Sequence, residues 1–368
     1  MAVTNKRGIF SLLDVRERQG AGVWSTRGDV WTSPSPFNTS TPAPFGYFAG
    51  GNTIPSNNDS SGVDRVDYSN DTATALARGP LNTGRRNLSA TGNASFGYFG
   101  GGYNATPGGM TTVDRIDYGN DTATALAKGP LSSFSHSLAA TGNINFGYFA
   151  GGRVGAMPPE TSRVDRIDYS NDTATASPKG PLSAVRGYGV QATGNQSFGY
   201  VGGGGQPAKS TVERIDYGND TATASPKGPL SSARNYLAAT GNASFGYFGG
   251  GSGPDTSTVD RVDYSSDTGT APAKGPLSVA RSQLAATGNT SFGYFGGGNP
   301  ATSRVDRIDY SNDTATAVAK GPLTPIYREG PAAVSRKDNG LPDTSNISPV
   351  ATNFGYFGGG ETPSAKVT

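Results

Sequence analysis

The chain has 368 residues, 55 of them Gly and 25 Pro, with 34% hydrophobic residues, 16% charged residues and a formal charge of +2. Scattered Gly and Pro at this level would suit a disordered chain, but here glycine recurs in fixed phrases beside aromatic residues, and internal repeats therefore decide the class. The low charge, with no sustained run of one sign, excludes a nucleic-acid footprint, and the lack of cysteine excludes a disulfide framework or thiolate metal site.

At the N-terminus an apolar patch from Ile9 to Leu13 is followed by Asp14, Arg16, Glu17 and Arg18. That is too soon for a signal-peptide core or a membrane span, so no membrane insertion is expected. Residues 1–28 belong to no repeat and combine Lys6, Arg7, Ile9, Phe10, Leu12, Leu13 and Trp24. A free tail gains little from so many apolar groups. The segment reads as a docking arm, or otherwise as an extra strand packed on its own ring.

Next along the chain, Trp31-Thr32-Ser33-Pro34-Ser35-Pro36-Phe37 parallels Thr175-Ala176-Ser177-Pro178-Lys179-Gly180-Pro181-Leu182. The phrase Phe-Gly-Tyr-(Phe/Val)-(Gly/Ala)-Gly-Gly then begins at Phe45, Phe96, Phe146, Phe198, Phe245, Phe292 and Phe354, seven times at spacings of 47–62 residues. A second phrase, Val-(Asp/Glu)-Arg-(Ile/Val)-Asp-Tyr, begins at Val63, Val113, Val164, Val212, Val259 and Val305. Between them lie Asp-Thr-(Ala/Gly)-Thr-Ala, Gly-Pro-Leu and, in most copies, Ala-Thr-Gly-Asn.

Each unit offers four short strands: one ending at Ala-Thr before a Gly-Asn turn, the aromatic-glycine phrase, the Val-Asp-Arg phrase, and a fourth starting at Thr-Ala-Thr-Ala after an Asn-Asp turn. No segment keeps a helical period. A four-stranded unit cannot bury both faces alone, so neighbouring units must cover them. Seven phrases predict an all-β, seven-bladed propeller of four-stranded antiparallel blades over residues 29–368, with an insertion loop at about 324–350. The last unit stops at Val367-Thr368, where its third strand should begin, so the N-terminal Trp31 segment is expected to complete the C-terminal blade and close the ring.

The order of pieces resembles a kelch-type propeller: a strand ending in Gly-Gly, a strand ending in Asp-Tyr, a polar turn, a fourth strand, then Pro-Leu and often Arg, as at Arg186, Arg234 and Arg281. The chain departs from that pattern where kelch repeats carry Trp early in the fourth strand; here the place is Thr or Ala, with only Trp31 near it. The wording Phe-Gly-Tyr-Phe-Gly-Gly-Gly with Val-Asp-Arg-Ile-Asp-Tyr-Ser-Asn-Asp-Thr-Ala-Thr-Ala is similar to repeat proteins of marine tailed phages, notably cyanophages. That resemblance implies a virion component of tail, fibre or particle surface.

Catalytic chemistry has little to stand on, and neither catalytic residue, cofactor nor metal is assigned. Arg65, Arg115, Arg166, Arg214, Arg261 and Arg307 each sit between acids, and six copies favour pairing with carboxylates of the same or a neighbouring blade over an anion or metal site. The Gly-Gly-Gly runs precede no helix and no Gly-Lys-Ser/Thr, so close backbone packing explains them better than phosphate binding. The lone His136 replaces Arg86, Asn235 or Ser282 of other copies and reads as a loop variant. Asn57-Asn58-Asp59 reads as a solvated turn before a cation loop, and the many Asn-x-Ser/Thr triplets read as turn chemistry.

The copies differ most between strands 2 and 3. In a four-stranded meander, those connections share one ring face with the strand 4-to-1 connections. That variable face carries Asn58, Asp59, Tyr103, Arg153, Met157, Lys209, Asp255, Tyr327, Arg328, Lys337 and Asp338, on loops of a rigid scaffold, where recognition usually lives. The expected function is a non-enzymatic virion structural protein, located in the phage particle. It would bind other virion proteins through the arm and a host-surface glycan or protein through the loop face. The alternative is a bacterial kelch-like protein or carbohydrate-binding module outside a virus.

Overall fold

The computed structural model describes residues 45–336 apart from 55, 106–107, 155–158, 301 and 325–326. The expected docking arm, the Trp31 segment and the phrase at Phe354 all lie outside the described residues.

The fold is all-β and propeller-like. Six sheets share one antiparallel plan, five of four strands and one of three. In the second sheet the order runs Ser89–Gly92, Phe96–Gly100, Val113–Asp117, Leu126–Lys128, with Thr91 opposite Tyr98 and Tyr98 opposite Arg115. The same register recurs in the third sheet, with inner strand Ala139–Gly142, and in the fourth, with inner strand Gln191–Gly194. It continues in the fifth, with inner strand Ala238–Gly241, and the sixth, with inner strand Ala285–Gly288. In the fifth sheet the outer strand shrinks to a single bridge, Asp260 to Ala273, next to Pro272. A proline without an N–H is tolerated on such an edge and blunts it against further pairing.

The first sheet takes its inner strand from the far end of the described chain. Ala332–Ser335 pairs with Phe45–Ala49, Ala49 facing Ala332 and Gly46 facing Ser335. The segment read from sequence as an insertion loop at about 324–350 therefore contains two strands, Tyr327–Glu329 and Ala332–Ser335. Its wording hides the match: Arg328-Glu329-Gly330-Pro331-Ala332-Ala333-Val334-Ser335 stands where the fifth sheet has Arg234-Asn235-Tyr236-Leu237-Ala238-Ala239-Thr240-Gly241. A second difference lies in strand 4, which starts after Thr-Ala-Thr-Ala. In the first sheet Asp71 and Thr72 end the turn, Ala73 bends out of it, and the strand runs Leu76–Arg78.

No single core holds the sheets. Each hydrophobic cluster joins two successive ones, as Tyr47, Val63 and Leu81 of the first pack with Phe99 and Ile116 of the second. The sixth joins the first through Tyr294, Val305 and Leu323 with Phe48, Val66 and Tyr68. The tyrosine of each aromatic-glycine phrase stacks on the tyrosine ending the next sheet's third strand, as Tyr98 on Tyr169 at 4.7 Å and Tyr294 on Tyr68 at 4.4 Å. Alternation along the strand points the neighbouring Phe the other way. A Cβ on Gly100, Gly202, Gly249 or Gly296 would strike the ring of Phe149, Phe248, Phe295 or Phe48 from the following sheet, so glycine lets the sheets close at those four places.

Polar latches run along the same seams. Asp121, in a turn of the second sheet, accepts from Tyr47 Oη at 2.9 Å and pairs with Arg65 at 2.7 Å and Arg78 at 3.4 Å, all from the first. Asp172, Asp220, Asp267 and Asp313 repeat this with the sheet before each, and Asp71 does so with Tyr294, Arg307 and Lys320 of the sixth. The arginines flanked by acids are thus consumed in pairing, and each also lies over a phenylalanine, as Arg65 over Phe45 at 4.0 Å. A second latch is buried: Arg85, Arg186, Arg234, Arg281 and Arg328 reach the inner acid of the Val-Asp-Arg phrase, as Arg85 to Asp114 at 2.8 Å. The third sheet has Ser135 in that column, and Arg163 supplies the charge to Asp165 at 3.3 Å.

Burial pushes the carboxyls of Asp71, Asp172, Asp220 and Asp267 up, but hydrogen bonds from the paired Tyr and Lys, with the Arg charges, outweigh it and hold them below the usual range. Because the folded values are depressed, the stabilisation is complete above the ordinary aspartate pKa of about 3.9 and is lost as pH falls through the folded values. The thermal midpoint should therefore hold near neutrality and fall steeply below about pH 4. A midpoint unchanged into strong acid would contradict these latches.

Candidate functional site

Strand 4-to-1 and strand 2-to-3 connections meet on one face, as the sequence pattern requires. Arg86 bridges Tyr103, His136 bridges Arg153, Asn235 bridges Ser252 and Ser282 bridges Asn299, so each inner hairpin extends beyond its sheet. The opposite face carries the Thr-Gly-Asn turns, where Asn93 Oδ1 accepts from the N–H groups of Ser95 and Phe96. This is the turn chemistry expected of the Asn-x-Ser triplets.

On the loop face a polar and aromatic run extends from the first sheet to the fifth. Asp59 accepts from Arg86 at 2.9 Å and from the Ala105 N–H at 3.0 Å, so its carboxylate is engaged. The Arg86 guanidinium lies 5.1 Å from the Tyr103 ring, and that ring meets His136 edge-on at 5.5 Å. Arg153 lies over Tyr188 at 4.3 Å, and Tyr188 meets Tyr236 edge-on at 6.4 Å. The predicted residues Asp59, Tyr103 and Arg153 are thus brought together through Arg86, His136 and Tyr188.

The other predicted residues fare differently. Asn58 and Asp255 are exposed, while Lys209 Nζ donates to the Val185 carbonyl at 3.0 Å. Met157, Lys337 and Asp338 lie outside the described residues, and Tyr327 is described only as backbone, paired with Ile54. Arg328 is a correction. It is 2% exposed, donates to the Gly50 and Gly62 carbonyls and pairs with Asp64 at 3.4 Å, so it is a latch and displays nothing. A buried guanidinium whose two terminal nitrogens are already engaged is not available to a partner.

Sequence reasoning missed the column that follows the buried arginine, because it judged variability by loop length and this column keeps nearly constant length. Asn87, Ser137, Tyr188, Tyr236, Gln283 and Gly330 all adopt positive φ, between 53° and 63° except Tyr236 at 52°. Their segments bond sheet to sheet: Ser137 N to Asn87 O, Gly189 N to Ser137 O, Tyr236 N to Tyr188 O, Gln283 N to Tyr236 O, Gly330 N to Gln283 O and Asn87 N to Gly330 O. All of them but Tyr188 line a shallow recess open to solvent, together with Gly189, Gln191, four leucines and Pro331. Below it the inner strands line a recess of about 320 Å³ with Ala90, Ala140, Ala192, Ala239, Ala286 and Ala333. Burial raises the Tyr236 hydroxyl above its usual range despite the Arg153 charge, and burial also raises the Glu329 carboxyl, with Arg86 opposing.

Compared with models of known families and with curated proteins, the chain matches neither a family model nor a curated protein.

Proposed function

We propose that the six sheets are blades of a closed six-bladed β-propeller, and that the protein is a non-catalytic structural component of a virion that presents its loop face for recognition. The ring is supported by three runs of partners that each return to their start: the stacked tyrosines, the Asp latches and the backbone bonds from Asn87 round to Gly330. Six blades, in place of the seven counted from phrases, follow from Ala332–Ser335 serving as the strand beside Phe45–Ala49.

The observation that carries the functional reading is the division between what repeats and what diverges. Latches between sheets recur with hardly a change, while Asp59, Arg86, Tyr103, His136 and Arg153 are not repeated in other copies, and they gather on one face with Tyr188, whose type recurs only at Tyr236. A scaffold kept constant beneath one diverging surface suits recognition. The resemblance of the repeat wording to marine phage proteins supports the reading that this recognition takes place on a particle, facing a host glycan or another virion protein, with residues 1–28 binding within the particle. Mass spectrometry of purified phage particles tests this; the protein should be present at stoichiometric level, and its absence contradicts the virion assignment. The tyrosines of the loop face also favour a second reading, a carbohydrate-binding module outside any virus, which detection in uninfected bacteria would support.

A further inference from the structure

We infer that the loop face at this recess is a binding site for a neutral saccharide, with Tyr236, which lines the recess, and Tyr188, packed edge-on against it outside the lining, as its aromatic wall. The inference rests on the reading of the loop face as the recognition surface and names its ligand.

The first observation is backbone strain. Tyr188 and Tyr236 hold φ of 54° and 52°, a region that bulky side chains rarely adopt. The fold itself does not ask for tyrosine there. The equivalent places in the other sheets are Asn87, Ser137, Gln283 and Gly330, small or polar residues that enter this region more readily. Two adjacent sheets therefore carry a disfavoured residue at a position where the architecture accepts better ones. Such outliers persist where the side chain has work to do.

The second observation is local rebuilding at the same point. Between the buried-arginine column and the inner strand, the fourth sheet has one residue more than its neighbours, Gly189. It also has positive φ, and an added Cβ would lie 2.6 Å from the Tyr236 Cα. The extra glycine lets the Tyr236 backbone come close, and Gly189 N takes up the bond to Ser137 O that continues the run between sheets.

The third observation is the chemistry of the recess. Beside four leucines and Pro331, the residues Asn87, Ser137, Gln191, Tyr236 and Gln283 offer amides and hydroxyls, each able to donate and accept. No charged side chain lines it among the described residues. Sugars present a C–H face to aromatic rings and paired donor and acceptor hydroxyls at their edges, which such a mixture meets; an anionic ligand would find no cation in the recess. Arg153, stacked on Tyr188, widens the aromatic wall outside the rim.

The test uses the full chain on an array of neutral and acidic oligosaccharides, followed by titration calorimetry with the best neutral binder against the chain and its Tyr188→Asn/Tyr236→Asn variant. Asparagine stands at the equivalent position 87, so the variant should unfold at the same temperature or higher while binding at least tenfold more weakly. Equal binding by the variant overturns the site. If binding is instead lost on changing Asn58 and Asp255, the saccharide site is elsewhere on the loop face, and only the reading of that face survives. Failure of the parent chain to bind any saccharide also overturns the inference. The particle measurement above is unaffected by either result, so the two readings fail separately.

Discussion

Replacing Arg85 with alanine should cost about 3–5 kcal/mol of folding stability, the usual result of leaving one member of a buried ion pair alone. Both side chains of the Arg85–Asp114 pair are 0% exposed, with a 2.8 Å contact. Without Arg85, Asp114 keeps the Asn82 N–H at 3.1 Å, and the Phe99 carbonyl loses its donor at 3.0 Å. The denaturation midpoint should drop with little change in its slope. The double variant Arg85→Met/Asp114→Leu should recover most of the loss, since a well-packed apolar pair avoids the desolvation of both charges. The third sheet already illustrates the rule, because Ser135 is tolerated there only with Arg163 near Asp165. An Arg85→Ala chain of unchanged stability would mean that this latch contributes nothing.

The second large effect is expected at Val334. It is 1% exposed, faces Tyr47 across the strand pair and packs in the cluster that joins the first and second sheets. Val334→Asp puts a carboxylate into that cluster with no cation provided, at a cost again of about 3–5 kcal/mol. If residues 324–350 formed a loop inserted between repeats, the same change would be nearly silent, as surface substitutions usually are. Chemical denaturation of this one variant therefore separates the two accounts of the segment.

Much of the fold was legible in the sequence because the repeat is nearly literal. The strand phrases, their antiparallel order, the asparagine turns and the pairing of Arg65 and its equivalents all follow from alternation, turn chemistry and the need to neutralise a packed charge. What was not legible is where the first sheet finds its inner strand. Ala332-Ala333-Val334-Ser335 keeps the small, buried character of Ala238-Ala239-Thr240-Gly241 but loses the Thr-Gly that made the phrase visible. Counting phrases gave seven units; among the described residues six sheets share the repeated plan, and the seventh phrase, at Phe354, lies outside them. The role of Asp121 and its equivalents was missed for a different reason: within one repeat each is a turn residue, and its partners lie 39–74 positions away in chain order or across the chain ends.

The candidate site was half legible. Divergence among the copies pointed to Asp59, Tyr103 and Arg153, and these do gather. It also pointed to Arg328, because a segment judged to be an insertion lends all its residues to the surface, whereas this arginine belongs to the buried column of Arg85 and Arg281. Tyr188 and Tyr236 were overlooked since nothing in a sequence marks a positive φ unless the residue is glycine or asparagine.

The chain lacks cysteine, so a pair introduced at positions 49 and 332 gives the most direct test of the proposed six-bladed ring. Ala49 and Ala332 face each other across the strand pair, a separation that cross-strand neighbours of this kind can bridge. Oxidation of Ala49→Cys/Ala332→Cys should yield a monomer with an internal disulfide, seen as faster migration on a non-reducing gel and as one cross-linked peptide joining the two positions. If the first sheet instead took its inner strand from residues just before Phe45, the two thiols would stay free or link separate molecules, and the six-bladed closure would be wrong.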